Sequence, residues 1–104
     1  MSTPADEHAE QYQITRAIWH GITMEIRHWP MWSKIAEIDH IEVVSDDRKA
    51  LPITEMGYRS LFIKPEYIEH HGSAHGYVLE WLDKKAKSPE WMRKEADSKQ
   101  LSLF

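Results

Sequence analysis

The sequence predicts an α+β domain in which a small antiparallel sheet of about four strands packs against one main C-terminal helix. Apolar and polar residues alternate at several places between residues 14 and 63, whereas after Pro65 apolar residues recur at spacings of three and four. Strands that come first and helices that come last are typical of α+β domains. With 104 residues the chain forms one domain, because a second core would need about 50 more.

The first two strands are predicted over residues 14–19 and 22–29, on either side of His20-Gly21. Both runs are rich in β-branched and aromatic residues, and a two-residue connection that ends in glycine favours a tight hairpin. Alternate residues of the second run are apolar, which predicts a half-buried strand. We expect Pro30 to end this strand.

Two further strands are predicted over residues 40–44 and 58–63, where apolar side chains again alternate with polar ones. Residues 45–48 form a polar turn after the first of them. Residues 49–54 form a short return, which Pro52 confines to a sheet edge or a loop.

The helices follow. Pro65 suits the first position of a single helical turn, and Ser73 is the predicted N-cap of a helix that runs to about Lys87. The apolar stripe of this helix consists of Ala74, Tyr77, Val78, Trp81, Leu82 and Ala86. Ser88 is the predicted cap of a second, short helix, and residues 97–99 are predicted to form a linker.

The chain thus divides into a disordered N-terminus at residues 1–11, an α+β domain at residues 12–95, and a linker with a C-terminal peptide at residues 96–104. The absence of cysteine excludes disulfide scaffolds and Cys-ligated zinc. No apolar run approaches the roughly 18 residues of a membrane span, and the N-terminus lacks the apolar region of a signal peptide. We therefore expect a cytoplasmic protein without membrane contact.

Charge is unevenly distributed along the chain. Residues 1–82 hold 13 acids and 7 bases, whereas residues 83–99 hold 4 acids and 6 bases, and the formal net charge is −4. This balance argues against broad affinity for nucleic acid and leaves at most weak, non-specific DNA contacts from the basic segment. It also favours packing over base stacking as the role of four aromatic residues, Trp19, Trp29, Trp32 and Phe62.

Three of the seven histidines, His70, His71 and His75, lie close together. Two histidines four residues apart on one helix can bind a metal ion. Here Gly72 and the predicted cap at Ser73 interrupt the helix, so we expect structural or surface histidines, with no metal and no cofactor.

A polar cluster precedes the last strand. Glu55, Tyr58 and Arg59, with His40 nearby, could bind an anion or form an acid–base set. An ion pair with a tyrosine hydrogen bond that holds a turn explains the same residues and is the favoured interpretation. The sequence has no phosphate loop, nucleophile elbow or Ser/His/Asp signature, and we therefore expect no enzyme activity.

The most specific signal is the final segment, which consists of Gln100, Leu101, Ser102, Leu103 and Phe104. Such an apolar segment after a polar one either packs on its own domain or docks in a hydrophobic groove of a partner. It resembles the peptide, of consensus QL(S/D)LF, with which bacterial polymerases, repair proteins and initiation regulators bind the replicative sliding clamp. All five positions match, and a chance match is on the order of one in ten thousand for this chain length.

The resemblance to the clamp peptide implies a role for each residue. Gln100 would hydrogen-bond in a small polar subsite, Leu101 would lie on the groove wall, and Ser102 would face solvent. Leu103 and Phe104 would fill the deep apolar pocket. These five residues are the predicted partner-binding site.

The body of the chain carries a second resemblance. The segments WHGITMEI, HIEVVSDD, LPITEMGYRSLF and GYVLEWLD, followed by QLSLF, resemble small uncharacterised proteins of bacterial plasmids and prophages. The likeness spans most of residues 16–104. Because those proteins have no established activity, it implies a mobile-element setting and no mechanism.

Together these features predict a non-enzymatic interaction protein that docks on the bacterial sliding clamp and either inhibits replication or recruits the domain to it. The alternative is an acidic mobile-element inhibitor of a host defence or nucleic-acid enzyme. A small enzyme built around the His40 cluster is the third hypothesis. A second protein partner for the acidic body and a homodimer both stay open.

Overall fold

The computed structural model describes residues 11–101, and it describes side chains for residues 11–98. The predicted disordered N-terminus therefore lies outside the described residues except for Gln11.

A four-stranded antiparallel sheet forms the first half of the domain, as predicted. The strands lie side by side in chain order, so that each pairs with the next one along the sequence. They are β1 at Gln13–Trp19, β2 at Ile22–Ser33, β3 at Ile38–Ser45 and β4 at Tyr58–Ile63. The sheet is a simple meander, with β1 and β4 at its edges.

The predicted hairpin at His20-Gly21 is confirmed. Both residues have positive φ, 49° for His20 and 81° for Gly21, while Trp19 pairs with Ile22 across the turn. Two left-handed residues in a two-residue connection match the right-handed twist of the flanking strands. Gly21 has open space where a side chain would lie, so its conformation is what requires glycine there.

The prediction that Pro30 ends β2 is wrong. The strand continues to Ser33, which pairs with Ile38, and its register against β3 shifts between Trp29 and Ser33. On the other side β1 pairs with β2 only as far as His28. Pro30 therefore lies where β2 has lost that neighbour, and an irregular, one-sided position tolerates the missing N–H.

Between β3 and β4 the chain forms a loop and no strand. A short 3₁₀ turn at Asp46–Arg48 confirms the predicted polar turn, and residues 49–54 hold a single bridge between Leu51 and Thr54. Of the two alternatives for this return, the loop is the one observed. Gly57 closes it with a φ of 73°, and an added Cβ would lie 2.6 Å from the backbone of Arg48.

Three helices complete the domain: α1 at Pro65–His70, α2 at Ala74–Lys85 and α3 at Pro89–Leu101. Both predicted caps are confirmed. Ser73 Oγ accepts a 3.0 Å hydrogen bond from the Gly76 N–H, and Ser88 Oγ accepts one of 3.2 Å from the Trp91 N–H.

The predicted short helix and the linker over residues 97–99 are wrong, because α3 has 13 residues and continues to Leu101. The boundary placed at residue 96 thus falls inside a helix. Residues 92–101 contain neither glycine nor proline and are rich in good helix formers, so nothing local ends the helix there.

The core lies on one face of the sheet, against the helices. The predicted stripe of α2 is confirmed, with Ala74, Val78 and Leu82 buried and the other three members partly buried. The sheet contributes Ala17, Trp19, Met24, Ile26, Ile41, Val43 and Ile63, and α1 and α3 contribute Ile68 and Trp91. Within residues 11–101, no helix has the length and apolarity needed to cross a membrane.

Candidate interaction surfaces

The opposite face of the sheet, here called the open face, has none of the described helices packed on it. Cross-strand neighbours share a face, so the observed register assigns its members. They are Ile14, Arg16 and Ile18 of β1, Thr23, Glu25, Arg27 and Trp29 of β2, His40, Glu42 and Val44 of β3, and Tyr58, Ser60 and Phe62 of β4. The open face is therefore polar and aromatic.

His40 is the centre of this face and is only 8% exposed. The Phe62 ring stacks on it at 4.4 Å between centroids, and the rings of Tyr12 and Trp32 lie at 5.8 and 6.3 Å. Burial lowers the pKa of His40 below 6.5, although the charge of Glu42 acts in the opposite direction. The imidazole is consequently neutral at pH 7.

Both ring nitrogens of His40 have partners. Nδ1 lies 2.7 Å from the Tyr12 hydroxyl, and Nε2 lies 2.7 Å from Ser60 Oγ. His40 therefore links Tyr12 and Ser60 in one hydrogen-bonded chain. The neutral imidazole donates through one ring nitrogen and accepts through the other.

Glu42 acts on two tyrosines. The Tyr58 hydroxyl donates a hydrogen bond to its carboxylate. Burial, followed by the charge of Glu42, raises the pKa of Tyr12 to about 12. Burial and the hydrogen bond to Glu42 likewise raise the pKa of Tyr58. Both phenols stay protonated at neutral pH.

An aromatic ridge borders this network. Trp32 and Phe62 pack at 4.7 Å between centroids and stay 46% and 52% exposed. Met31, near the end of β2, and Ile35, in the β2–β3 connection, are also exposed. Exposed aromatic and Met side chains beside a rigid polar network are suited to contacting a protein partner.

The buried carboxylate of Asp39 fixes the backbone of β2 next to Trp32. Asp39 is 3% exposed, and its Oδ1 accepts a 2.7 Å hydrogen bond from the N–H of Met31, which has a φ of 52°. The other oxygen of Asp39 lies 2.7 Å from His28 Nε2. Asp39 therefore fixes the irregular end of β2 from the core side and positions Trp32 on the open face.

The polar cluster predicted around Tyr58 is dispersed by the fold. His40 and Tyr58 share the open face, but Arg59 lies on the other face, over the ring of Trp81 at 5.6 Å. Glu55 is exposed in the loop before β4. The four residues do not converge on one site, and Arg59 does not form with Glu55 the ion pair that the favoured interpretation contains.

The four large aromatic residues considered for base stacking are also divided. Trp19 is buried on the helix side, where its Nε1–H donates to Asp83 Oδ1 at 2.8 Å. Trp29, Trp32 and Phe62 lie on or beside the open face, and Trp29 packs edge-on against Tyr12.

Of the three histidines that lie close together in the sequence, His70 and His71 make contacts within their own part of the chain. Both ring nitrogens of His71 face acceptor oxygens, those of the Tyr67 carbonyl at 2.8 Å and the Glu80 carboxylate at 2.7 Å. Its ring packs edge-on against His70. In the part of the chain that the structure describes, no group of three or more metal-binding side chains comes together.

The predicted clamp peptide straddles the end of the described chain. The backbone of Gln100 and Leu101 continues α3, while Ser102, Leu103 and Phe104 lie outside the described residues. Between Trp91 and this point every described side chain is exposed except that of Glu95, which is half-buried.

A sequence model of the KlcB third domain matches residues 12–91, about three quarters of the chain. The chain belongs to the KlcB third-domain family. This family is associated with plasmid-borne proteins, which is compatible with the expected mobile-element setting. No curated protein and no solved structure matches the chain.

The KlcB third-domain match begins at Tyr12 and ends at Trp91. The hydrogen-bonded chain of Ser60, His40 and Tyr12 and the aromatic ridge both fall within the matched residues. The C-terminal peptide follows the match and is a separate feature of this chain.

Proposed function

We propose that this chain is a non-enzymatic interaction protein that docks on the bacterial DNA polymerase sliding clamp through Gln100, Leu101, Ser102, Leu103 and Phe104. The observation that carries the proposal is the match of this segment to the clamp-binding consensus at all five positions. The KlcB-family domain is then the cargo or effector that the peptide delivers to the replication machinery in the cytoplasm.

The placement of α3 supports the proposal. Trp91 anchors the start of the helix in the core, whereas Met92 is 59% exposed and the side chains at 93–98 are exposed except for that of Glu95. The described part of α3 therefore presents mostly exposed side chains as far as residue 98, shortly before the peptide begins.

The expected affinity follows from the apolar side chains. Burial of a Leu or a Phe side chain stabilises a complex by roughly 1.5–3 kcal/mol, before the cost of ordering the segment is subtracted. Leu103 and Phe104, with the smaller contributions of Leu101 and Gln100, give a binding free energy of about −8 kcal/mol and micromolar affinity.

Two biological outcomes follow from one peptide. Occupation of the clamp pocket excludes polymerases and slows replication, whereas recruitment brings the domain to DNA, where its open face meets a second protein. The six basic residues at 83–99 would then lie beside the clamp and make weak phosphate contacts. The plasmid association of the family fits either outcome.

Isothermal titration calorimetry of the full chain against a bacterial sliding clamp tests the proposal. The full chain is expected to bind with micromolar affinity, and Leu103→Ala/Phe104→Ala is expected to bind at least about a hundredfold more weakly. Met92→Ala is the matched control, because it removes an exposed apolar side chain from the same helix outside the peptide. Equal affinity of the full chain and the double variant would contradict the proposal.

A primer-extension assay with clamp-loaded polymerase separates the two outcomes. Inhibition predicts that the full chain shortens the products and that Leu103→Ala/Phe104→Ala does not. Recruitment predicts unchanged products at concentrations that leave clamp pockets free for the polymerase.

The acidic body supports a second candidate, an inhibitor of a host defence or nucleic-acid enzyme. Residues 1–82 carry an excess of six acids, which could present a phosphate-like surface. Such binding weakens steeply as ionic strength rises, whereas binding by the uncharged QLSLF segment does not. A pull-down repeated at low and high salt therefore discriminates between the two functions.

A further inference from the structure

A cavity of about 560 Å³ lies beside α3, along the side that carries Trp91, Lys94 and Ser98. It is an open cleft bordered by the β1–β2 turn, the loop that follows β3, and this side of the helix. Its apolar lining comes from Ile22, Ala50 and Trp91, and its polar lining comes from His20, Lys49, Lys94, Glu95 and Ser98. Its volume falls within the range of pockets that hold a small ligand or a few side chains.

The helix is held against the turn that forms this cavity. His20 Nδ1 lies 3.0 Å from Glu95 Oε2, and the His20 ring stacks on Trp19 at 3.8 Å. Trp19 in turn packs against Trp91. These contacts hold α3 against the β1–β2 hairpin, and they therefore maintain the shape of the cavity in the folded domain.

The last residues of the chain begin next to it. Ser98 lines the cavity, and Leu101, the last described residue, lies three residues further along α3, a rise of about 4.5 Å. Residues 102–104 span at most about 10 Å when extended. A reversal of direction after the helix therefore suffices to bring Leu103 and Phe104 to the cavity.

We propose that Leu103 and Phe104 of the same chain occupy this cavity, and that this contact competes with the sliding clamp for the C-terminal peptide. The proposal rests on the proposed clamp docking and adds its regulation. The apolar surfaces of Ile22, Ala50 and Trp91 give two large uncharged side chains a place to bury, while the polar residues around them stay hydrated.

The consequence is an autoinhibited peptide. The same two side chains cannot fill the cavity and the clamp pocket together, so the affinity for the clamp is reduced by the fraction of open chains. If 80–90% of the molecules are closed, the full chain binds about five- to tenfold more weakly than the isolated peptide. Any change that disturbs α3 or the β1–β2 turn would then expose the peptide.

The first test uses the full chain without a clamp. Backbone and indole ¹H–¹⁵N chemical shifts are compared between the wild type and Leu103→Ser/Phe104→Ser. We expect shift changes grouped at Ile22, Ala50 and Trp91. Shift changes confined to α3 after Glu95 would overturn the proposal, whatever the clamp does.

The second test measures clamp affinity for the wild type, for Ala50→Trp, which fills the cavity, and for Ala96→Trp, which adds the same ring at an exposed position of α3. A synthetic peptide of residues 99–104 gives the affinity without the domain. We expect the peptide and Ala50→Trp to bind about five- to tenfold more tightly than the wild type and Ala96→Trp.

The outcomes separate the two proposals. Equal affinity of the wild type, Ala50→Trp and the peptide would overturn autoinhibition and leave clamp docking intact. A peptide that does not bind the clamp would overturn the proposed function, and the chemical shifts would still decide whether Leu103 and Phe104 occupy the cavity. If Ala50→Trp does not fold, the chemical-shift comparison decides alone.

Discussion

The two faces of one sheet are stabilised in different ways. On the helix side, residues such as Met24, Ile41 and Val43 are at most 1% exposed and are covered by apolar side chains. On the open face, a neutral histidine joins Ser60 and Tyr12 by hydrogen bonds, and a second tyrosine donates to Glu42, beside half-exposed aromatic rings. Alternate residues of the same strands thus supply apolar burial on one side and directional polar contacts on the other.

The comparison indicates where stability and function lie. The helix side satisfies the main requirement of a small domain, which is the removal of apolar surface from water. The open face is organised in more detail than stability alone needs, since solvent could hydrate these polar groups. We therefore interpret the open face as the surface that a second protein partner, if the domain has one as proposed, would contact.

The largest difference is expected between matched isoleucines. Ile41→Ala removes a side chain that is 0% exposed and should lower the free energy of unfolding by about 2–5 kcal/mol. Ile18→Ala removes one that is 70% exposed on the open face and should change it by less than about 0.5 kcal/mol. Urea denaturation followed by tryptophan fluorescence measures both, and similar losses would mean that something covers the open face in solution.

The next effect concerns the hydrogen-bonded chain. His40→Ala leaves Tyr12 and Ser60 without their shared partner and should destabilise the domain by about 1–3 kcal/mol. The exposed His70 provides the control, since His70→Ala should be nearly neutral. A loss no greater for His40→Ala than for His70→Ala would show that the chain of hydrogen bonds contributes nothing to folding.

Stability should also depend on pH through His40. Because burial lowers the folded-state pKa of His40 below 6.5, the unfolded chain binds more protons as the pH falls through 6.5. The contribution of neutral His40 to the free energy of unfolding is fully present above pH 6.5. Below that pH it decreases by at most about 1.4 kcal/mol per pH unit, until the folded-state pKa is reached. Denaturation midpoints from pH 8 to pH 5 should therefore fall more steeply for the wild type than for His40→Gln, and parallel curves would refute this.

The smallest effect is expected at Tyr58, which is 38% exposed. Tyr58→Phe removes its hydrogen bond to Glu42 and should lower the free energy of unfolding by about 0.5–1.5 kcal/mol, measured by urea denaturation.

Phenolate absorbance tests the burial of Tyr12. Tyr12 should ionise only near pH 12, and Tyr12→Phe should remove that late step from the titration. An earlier ionisation of all tyrosines would show that Tyr12 is not buried against Glu42.

Local signals account for what could be predicted from the sequence. The His20-Gly21 turn, the cap at Ser73 and the apolar stripe of α2 each depend on residues close together in the chain, and all three are confirmed. The helix after Ser88 was predicted too short because polarity suggested a linker, although α3 lacks a residue that ends it.

The remaining features depend on pairing between distant residues. The continuation of β2 past Pro30 depends on where β1 ends, which the sequence around Pro30 does not contain. Adjacency suggested that Tyr58 and Arg59 act together, whereas strand alternation sends them to opposite faces. The link between His40 and Ser60 was missed for a related reason, since it required the register of β3 against β4.

Pro30 has a consequence for how the protein behaves at high concentration. The strand segment beyond His28 has lost β1 as a neighbour, and an unpaired strand beside exposed Met31 and Trp32 would invite another molecule to add its own strand. Proline offers no N–H for such pairing, and the irregular backbone that follows it does not form a flat template. The domain can therefore expose apolar side chains beside a strand end without offering a template for fibril assembly.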